Sequence, residues 1–183
     1  VTEALDRIAT PILTTLARVL FAGILFSYFW GSAMTKLGDG ISGLWTLSIG
    51  AYAQIFPVAF DAVGYDVSAL PGHYKLIALA GTWAEIVLPI LIVVGLFTRL
   101  SALGMIGFVS VQSFVDVTGH GLGAADIGAW FDRIPSSILL DQRMLWGFLL
   151  AYLVLRGGGP FSVDAVLLRR HSSAFWTAAP QPK

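Results

Sequence analysis

The stretch LIALAGTWAEIVLPILIVVGLF, residues 76–97, decides the fold. It holds 22 residues and a single charge, that of Glu85. A helix rises ~1.5 Å per residue and the hydrocarbon core of a bilayer is about 30 Å thick, so this stretch is long enough to cross a membrane. A carboxylate there costs roughly 2.5–3.5 kcal/mol on insertion scales. Glu85 therefore requires a partner, a proton or a cavity, and it is the first candidate functional residue.

The composition also predicts a membrane protein. Of the 183 residues, 56% are hydrophobic and only 12% are charged, whereas soluble domains average about 25% charged residues. The formal net charge is zero, which gives no indication of nucleic-acid binding. The absence of cysteine excludes thiolate chemistry, iron–sulfur clusters and cysteine-ligated zinc within this chain. The first apolar run is too long for a cleavable signal, and we expect it to be a retained helix.

Four apolar segments predict an all-α, integral membrane four-helix bundle, with spans at residues 12–34, 76–97, 100–115 and 135–156. The fourth is apolar only over residues 144–155, which is too short to cross alone, so we extend it back to residue 135. Residues 41–63 carry apolar side chains at helical spacing and predict amphipathic helices in the interface, with a fifth span as the alternative. Residues 1–172 then form one domain, followed by a flexible tail at 173–183.

The basic residues predict the orientation. With four spans, one side of the membrane holds six lysine and arginine residues against three acids, and the other holds four against seven aspartates. The positive-inside rule places both termini in the cytoplasm and the two long loops outside. We therefore expect a multi-pass protein of the bacterial inner (plasma) membrane.

Helix rise places several polar side chains at one depth. Counted at 1.5 Å per residue from the cytoplasmic ends of the spans, six lie roughly 18–24 Å up: Glu85, Gln112, Arg143, Asp141, Tyr28 and Asp116. Arg143 is the expected partner of Glu85, because a guanidinium can hold a carboxylate through two charge-assisted hydrogen bonds. Pro89 is expected to bend the second span and free a backbone carbonyl nearby.

These residues predict a polar pocket in the bundle that binds a small headgroup or relays protons. Glu85 and Arg143 are the candidate catalytic pair, and four residues are candidates for cofactor binding: Gln112, Asp141, Tyr28 and Trp146. Intramembrane ionisable residues mark functional sites by default. The alternative is a structural clasp that fixes helix order.

Arg18 and the histidines have other expected roles. Arg18 lies only ~9 Å up and is expected to be a snorkelling anchor. His73 and His120 lie near the outer surface, where solvated histidines are commoner than haem ligands. The sequence therefore predicts no metal or haem site.

Two long segments carry a family resemblance. RVLFAGILFSYFWGSAMTKL (residues 18–37) and AEIVLPILIVVGLFTRLSAL (84–103) resemble the DoxX family of small four-span membrane proteins. DQRMLW (141–146) and GPFSVDAVLLRR (159–170) strengthen the resemblance. Glu85, Arg99 and Asp164 match recurrent positions of the family pattern, but the resemblance assigns no catalytic role to them.

The resemblance implies a membrane subunit associated with quinone-linked redox complexes, with quinone as the cofactor and other membrane subunits as partners. The chain has no evident electron carrier, so redox chemistry would come from a partner or a bound cofactor, and whether the chain is itself an enzyme stays open. The alternative is a non-catalytic accessory or assembly subunit that docks onto a larger membrane complex. A transporter or channel is less favoured, because there is no inverted repeat and no ring of pore-lining polar residues.

Overall fold

The computed structural model describes residues 2–168, and within them four helices are long and apolar enough to cross a membrane. They are span 1 (Ile8–Lys36), span 2 (Gly72–Val94), span 3 (Thr98–Thr118) and span 4 (Ile138–Arg156). The predicted all-α fold with four spans is confirmed. The predicted tail at 173–183 lies outside the described residues.

The spans form a ring in which consecutive helices run antiparallel. Span 1 packs mainly on spans 2 and 4, and span 3 packs mainly on spans 2 and 4. The shared core is aromatic and aliphatic, with fully buried residues such as Phe21, Phe29, Met105 and Leu150. The connections of 37–71 and 119–137 lie at one end, the loop end, and the short turn between spans 2 and 3 lies at the other, the junction end.

Gly95 sets the tight turn at the junction end. It has φ 76°, and its N–H and that of Leu96 both donate to the carbonyl of Leu91, at 2.8 and 3.0 Å. This is the glycine-terminated helix end in which a left-handed residue closes the last turn. An added Cβ would lie 2.6 Å from Cβ of Ser162 and 2.8 Å from Cζ of Arg18, so a side chain would clash there.

Two spans contain π-helical segments. Residues Phe21–Phe26 are π-helical within span 1, between α-helices Thr2–Leu20 and Ser27–Lys36. Span 4 begins with the π-helix Ile138–Arg143, three residues after the predicted start, and continues as the α-helix Met144–Arg156. A π-helical turn takes up an extra residue, so it rotates the side chains that follow relative to a regular helix.

Short helices cover the loop end, as the amphipathic pattern predicts. They are the α-helices Ile49–Ile55, Pro57–Ala62 and Ala124–Ile127 and the 3-10 turns Ser42–Leu44 and Val67–Ala69. The first two carry a second buried cluster that includes Tyr52 and Phe60. The indole Nε1 of Trp83 in span 2 donates to the carbonyl of Leu44 at 3.0 Å, which ties this cover to the bundle.

Candidate functional site

Glu85 is buried in span 2, with 3% of its side chain exposed, and its partner is Lys36. Lys36 Nζ lies 2.8 Å from Glu85 Oε2, and Ser32 Oγ donates to Glu85 Oε1 at 3.0 Å. Lys36 Nζ also donates to Ser32 Oγ at 2.7 Å. Both carboxylate oxygens therefore have partners, and the two charges neutralise each other within the bundle.

The local structure of span 1 delivers Lys36 to this place. The helix continues through Lys36, two residues beyond the predicted end, and Ser32 lies one turn earlier on the same face. Helical side chains tilt towards the N-terminus, so the ammonium group of Lys36 reaches back into the bundle. Ser48 closes the helix end by donating its N–H to the carbonyl of Lys36 and its hydroxyl to that of Thr35.

The predicted pairing of Glu85 with Arg143 is wrong. Arg143 pairs with Asp116 of span 3, with Nη2 at 2.5 Å from Oδ2, and its Nη1 donates to Ser113 Oγ at 2.9 Å. The reason is lateral position rather than depth. Span 2 packs between spans 1 and 3, whereas Arg143 lies on span 4 and faces span 3.

The remaining predicted site residues divide into two groups. Gln112 Nε2 donates to the hydroxyl of Tyr28 at 3.0 Å, which joins spans 3 and 1 across the bundle. The ring of Trp146 lies behind Tyr28, with ring centroids 5.3 Å apart. Asp141 does not join this group. Its carboxylate accepts the N–H of Ser137 at 2.8 Å, at the start of span 4.

A cleft of about 580 Å³ brings part of this chemistry together. We call it the loop-end cleft. Its polar residues run from Glu85, Lys36 and Ser32, through Gln112 and Tyr28, to Asp116, Gln54 and His120. Its apolar wall is made by spans 2 and 3: Ile77, Ala80, Gly81, Ala84, Leu88, Gly104, Gly107, Phe108 and Val111. Arg143, Asp141 and Trp146 are not among the residues that line it.

The loop-end cleft is open on its lipid-facing side, along the apolar wall formed by spans 2 and 3. Ile77, Ala80, Gly104, Gly107 and Val111 are exposed although they lie within two membrane spans. Nothing lies within 4 Å of a Cβ added at Gly81 or Gly107, so these glycines leave space that a side chain could fill. The cleft therefore opens towards the hydrocarbon and extends to the loop end of the bundle.

Arg18 is not a snorkelling anchor. It is buried, with 8% exposed, and donates to the carbonyls of Ile92, Val93, Gly158 and Phe161. The first two carbonyls belong to the end of span 2 and the others to the chain after span 4. Depth alone does not predict the role of Arg18, because at this depth its side chain meets backbone carbonyls at helix ends and not lipid.

Histidine has a minor part in the site. His120 Nε2 lies 2.9 Å from the carbonyl oxygen of Gln54 at the outer limit of the loop-end cleft. His73 is exposed and its ring contacts that of Tyr74. Among the side chains that the structure describes, there is no group of three or more histidine, aspartate or glutamate residues placed to hold a metal ion.

Sequence reasoning missed Lys36, Ser32 and Ser113. A first span that ends at residue 34 leaves Lys36 in the loop that follows. A signal was available, since Ser32 and Lys36 are four residues apart at the end of an unbroken apolar helix. Extending that helix by one turn would have placed a cation on the same face as a serine, ready to meet a buried acid.

Four antiparallel spans around a buried acid–base pair define a multi-pass α-helical integral membrane protein. The DoxX family model matches residues 13–121, which is more than half of the chain. The chain belongs to the DoxX family, as the sequence resemblance predicts. No curated protein and no solved structure matches the chain.

Proposed function

We propose that this protein is an integral membrane subunit of a quinone-linked redox or respiratory complex, and that the loop-end cleft takes a quinone headgroup. The observation that carries the proposal is the combination of an apolar, lipid-facing wall with the buried Lys36–Glu85 pair. A ligand that partitions into the bilayer can enter such a cleft sideways, past the apolar wall, and meet the hydrogen-bonding groups on its far side. Its volume is within the range of about 300–1,000 Å³ usual for small-molecule sites.

The polar groups fit a ligand with carbonyl oxygens. The hydroxyl of Tyr28 accepts from Gln112, so its own proton can be donated to a ligand carbonyl, whereas the three protons of the Lys36 ammonium group already go to Ser32 and Glu85. Gln112 lines the cleft and its Oε1 is buried without a hydrogen-bond partner, so a rotation of its side chain towards the cleft would let it accept from a hydroxyl of a reduced ring. Glu85 can hold or pass a proton beside Lys36. The bound quinone would supply the redox chemistry, while these residues orient it and handle protons.

We further infer the bacterial inner membrane as the location, with the junction end and both termini on the cytoplasmic side. The distribution of lysine and arginine between the two sides supports this orientation. The partners in this proposal are the lipid bilayer and other membrane subunits of the complex, which would provide the electron carrier.

The test compares quinone retention between wild type and two variants that act differently on the cleft. Gly107→Leu should fill the space that Gly107 leaves open, and Glu85→Gln should remove the charge while preserving shape. We expect quinone to copurify in mild detergent with the wild type, and both variants to retain at least tenfold less by mass spectrometry. Gly147→Leu is the matched control, because Gly147 also has open space around it but does not line the cleft.

Equal quinone retention by wild type and Gly107→Leu would refute the proposal. Stable association with a larger complex whose activity survives Gly107→Leu and Glu85→Gln would instead favour an accessory or assembly role.

A further inference from the structure

A second cleft, of about 630 Å³, lies at the junction end, on the opposite side of the bundle from the loop-end cleft. We call it the junction cleft. It lies between the start of span 3, the end of span 4 and the segment that follows span 4. Its lining includes Arg99, Arg156, the glycines 157–159 and Asp164. Nothing in the proposed quinone function uses this cleft.

The two arginines at the junction cleft have no carboxylate partner among the described residues. The two ion pairs found among the described side chains lie elsewhere, at Lys36–Glu85 and Arg143–Asp116. Arg99 lies over Gly157, since an added Cβ there would be 3.3 Å from its Nε. The Arg99 side chain therefore lies beside the end of span 4, where Arg156 is the last residue.

The acid in the same cleft is already engaged. Asp164 accepts the N–H groups of Phe97 and Thr98 and the Thr98 hydroxyl at 2.8–2.9 Å. It also interacts electrostatically with the buried Arg18. Asp164 is thus occupied by these donors, and Arg99 and Arg156 are the cations among the described side chains that line the cleft.

The walls beside these charges are apolar and exposed. Phe97, Leu100 and Leu168 line the cleft and are 64%, 68% and 72% exposed. Leu100 belongs to a membrane span, so acyl chains can lie against this surface. The sequence adds Arg169 and Arg170 directly after Leu168, which increases the positive charge of this segment. Paired cations beside an apolar surface at the membrane boundary match an amphiphile with an anionic head.

We propose that the junction cleft binds the phosphate group of an anionic phospholipid. Arg99 and Arg156 donate to the phosphate oxygens, since guanidinium forks suit tetrahedral oxyanions. The acyl chains pack against the exposed leucines. The site is independent of the quinone proposal, because it shares no residue with the loop-end cleft.

The experiment titrates the purified full-length protein in neutral detergent with phosphatidylglycerol and measures retained lipid by native mass spectrometry. Arg99→Gln with Arg156→Gln should weaken binding roughly thirty-fold, which corresponds to ~1 kcal/mol for each arginine. Substitution of both by lysine keeps the charge and should retain most of the binding. Arg133→Gln, which removes an exposed charge at the loop end, should change nothing.

Two further arms distinguish the possible ligands. Phosphatidylcholine should bind at least tenfold more weakly than phosphatidylglycerol, and inorganic phosphate should not compete at millimolar concentration. Unchanged phosphatidylglycerol binding by the glutamine double variant would overturn the proposal, provided its thermal midpoint without lipid matches the wild type. Effective competition by inorganic phosphate would overturn the assignment to a lipid.

Discussion

Lys36 and Glu85 show how one pair of residues makes a charged group tolerable in the middle of a bundle. An isolated charge in a low-dielectric region is costly, and a close opposite charge with additional hydrogen bonds offsets much of that cost. Ser32 supplies the additional hydrogen bonds on both sides of the pair. The arrangement therefore depends on all three residues, and removal of either charge leaves the other exposed to apolar surroundings.

Loss of Glu85 alone should be more harmful than loss of the pair. We expect Glu85→Leu to lower the free energy of unfolding by about 3–5 kcal/mol, because the ammonium group of Lys36 remains buried without a counter-ion. The double variant Lys36→Met with Glu85→Leu should recover most of that loss. Denaturation in mixed micelles measures these differences, and Lys75→Met, at an exposed lysine, is the control.

A second double-mutant cycle, with Arg143 in place of Lys36, tests which of the two residues is the partner of Glu85. Glu85→Leu combined with Arg143→Met should give nearly additive losses, because the structure pairs the two residues with different partners. A coupling energy larger with Arg143 than with Lys36 would contradict the geometry.

At the scale of elements, Arg18 joins the ends of two spans. Its guanidinium satisfies carbonyls at the end of span 2 and in the segment after span 4, groups that a helix leaves unpaired at its C-terminus. A fork of five N–H donors can serve several acceptors at once, and an ammonium group cannot match that geometry. Arg18 therefore fixes the position of the chain that follows span 4.

We expect Arg18→Lys to loosen the segment 157–164. Buried carbonyls left without a donor cost about 1–3 kcal/mol each, so amide hydrogen exchange in this segment should be at least tenfold faster than in wild type. Arg133→Lys provides the matched change at an exposed arginine. Protection of 157–164 equal to that of the wild type would show that the guanidinium contacts are dispensable.

Gly95 gives a second test at this scale. Gly95→Ala should destabilise the protein by at least ~1 kcal/mol, because the residue has a positive φ and the added methyl meets Arg18 and Ser162. Gly81→Ala, within a helix and with nothing near its added Cβ, should instead be neutral or slightly stabilising. Equal unfolding midpoints for the two variants would contradict this account of the turn.

The elements also show what the sequence could and could not predict. Run length and polarity were sufficient for the four spans and the amphipathic cover, because membrane thickness and the need to pair backbone groups leave few alternatives. The common level of Gln112 and Tyr28 was also predictable, and these two side chains do meet. The direction in which each side chain points around its helix could not be predicted from the sequence. Helix order around the ring separates Glu85 from Arg143, and the π-helical turns in spans 1 and 4 rotate the side chains that follow.

For the whole molecule, the absence of cysteine makes the orientation directly testable. Ala69 at the loop end and Phe161 at the junction end are exposed and lie outside the four spans. Each can be replaced by cysteine in a separate variant, Ala69→Cys and Phe161→Cys. In intact cells, a membrane-impermeant maleimide should label the first, and the second only after permeabilisation. The opposite pattern would invert the orientation inferred from the basic residues.

The two clefts lie at opposite ends of the bundle and differ in chemistry. The loop-end cleft combines a neutralised acid–base pair with a lipid-facing wall, and the junction cleft combines two arginines with exposed leucines. The first suits an uncharged amphiphile and the second an anionic one. Their separation predicts that filling one leaves binding at the other unchanged, so Gly107→Leu should retain wild-type affinity for phosphatidylglycerol.

Photolabelling with a light-activated quinone analogue tests most directly whether the loop-end cleft is a quinone site. Labelled peptides should map to residues 77–88 and 104–112, and the labelling should be lost with excess unlabelled quinone and in Gly107→Leu but not in Gly147→Leu. Label spread over the lipid-facing surfaces of all four spans, unaffected by competing quinone, would contradict the account.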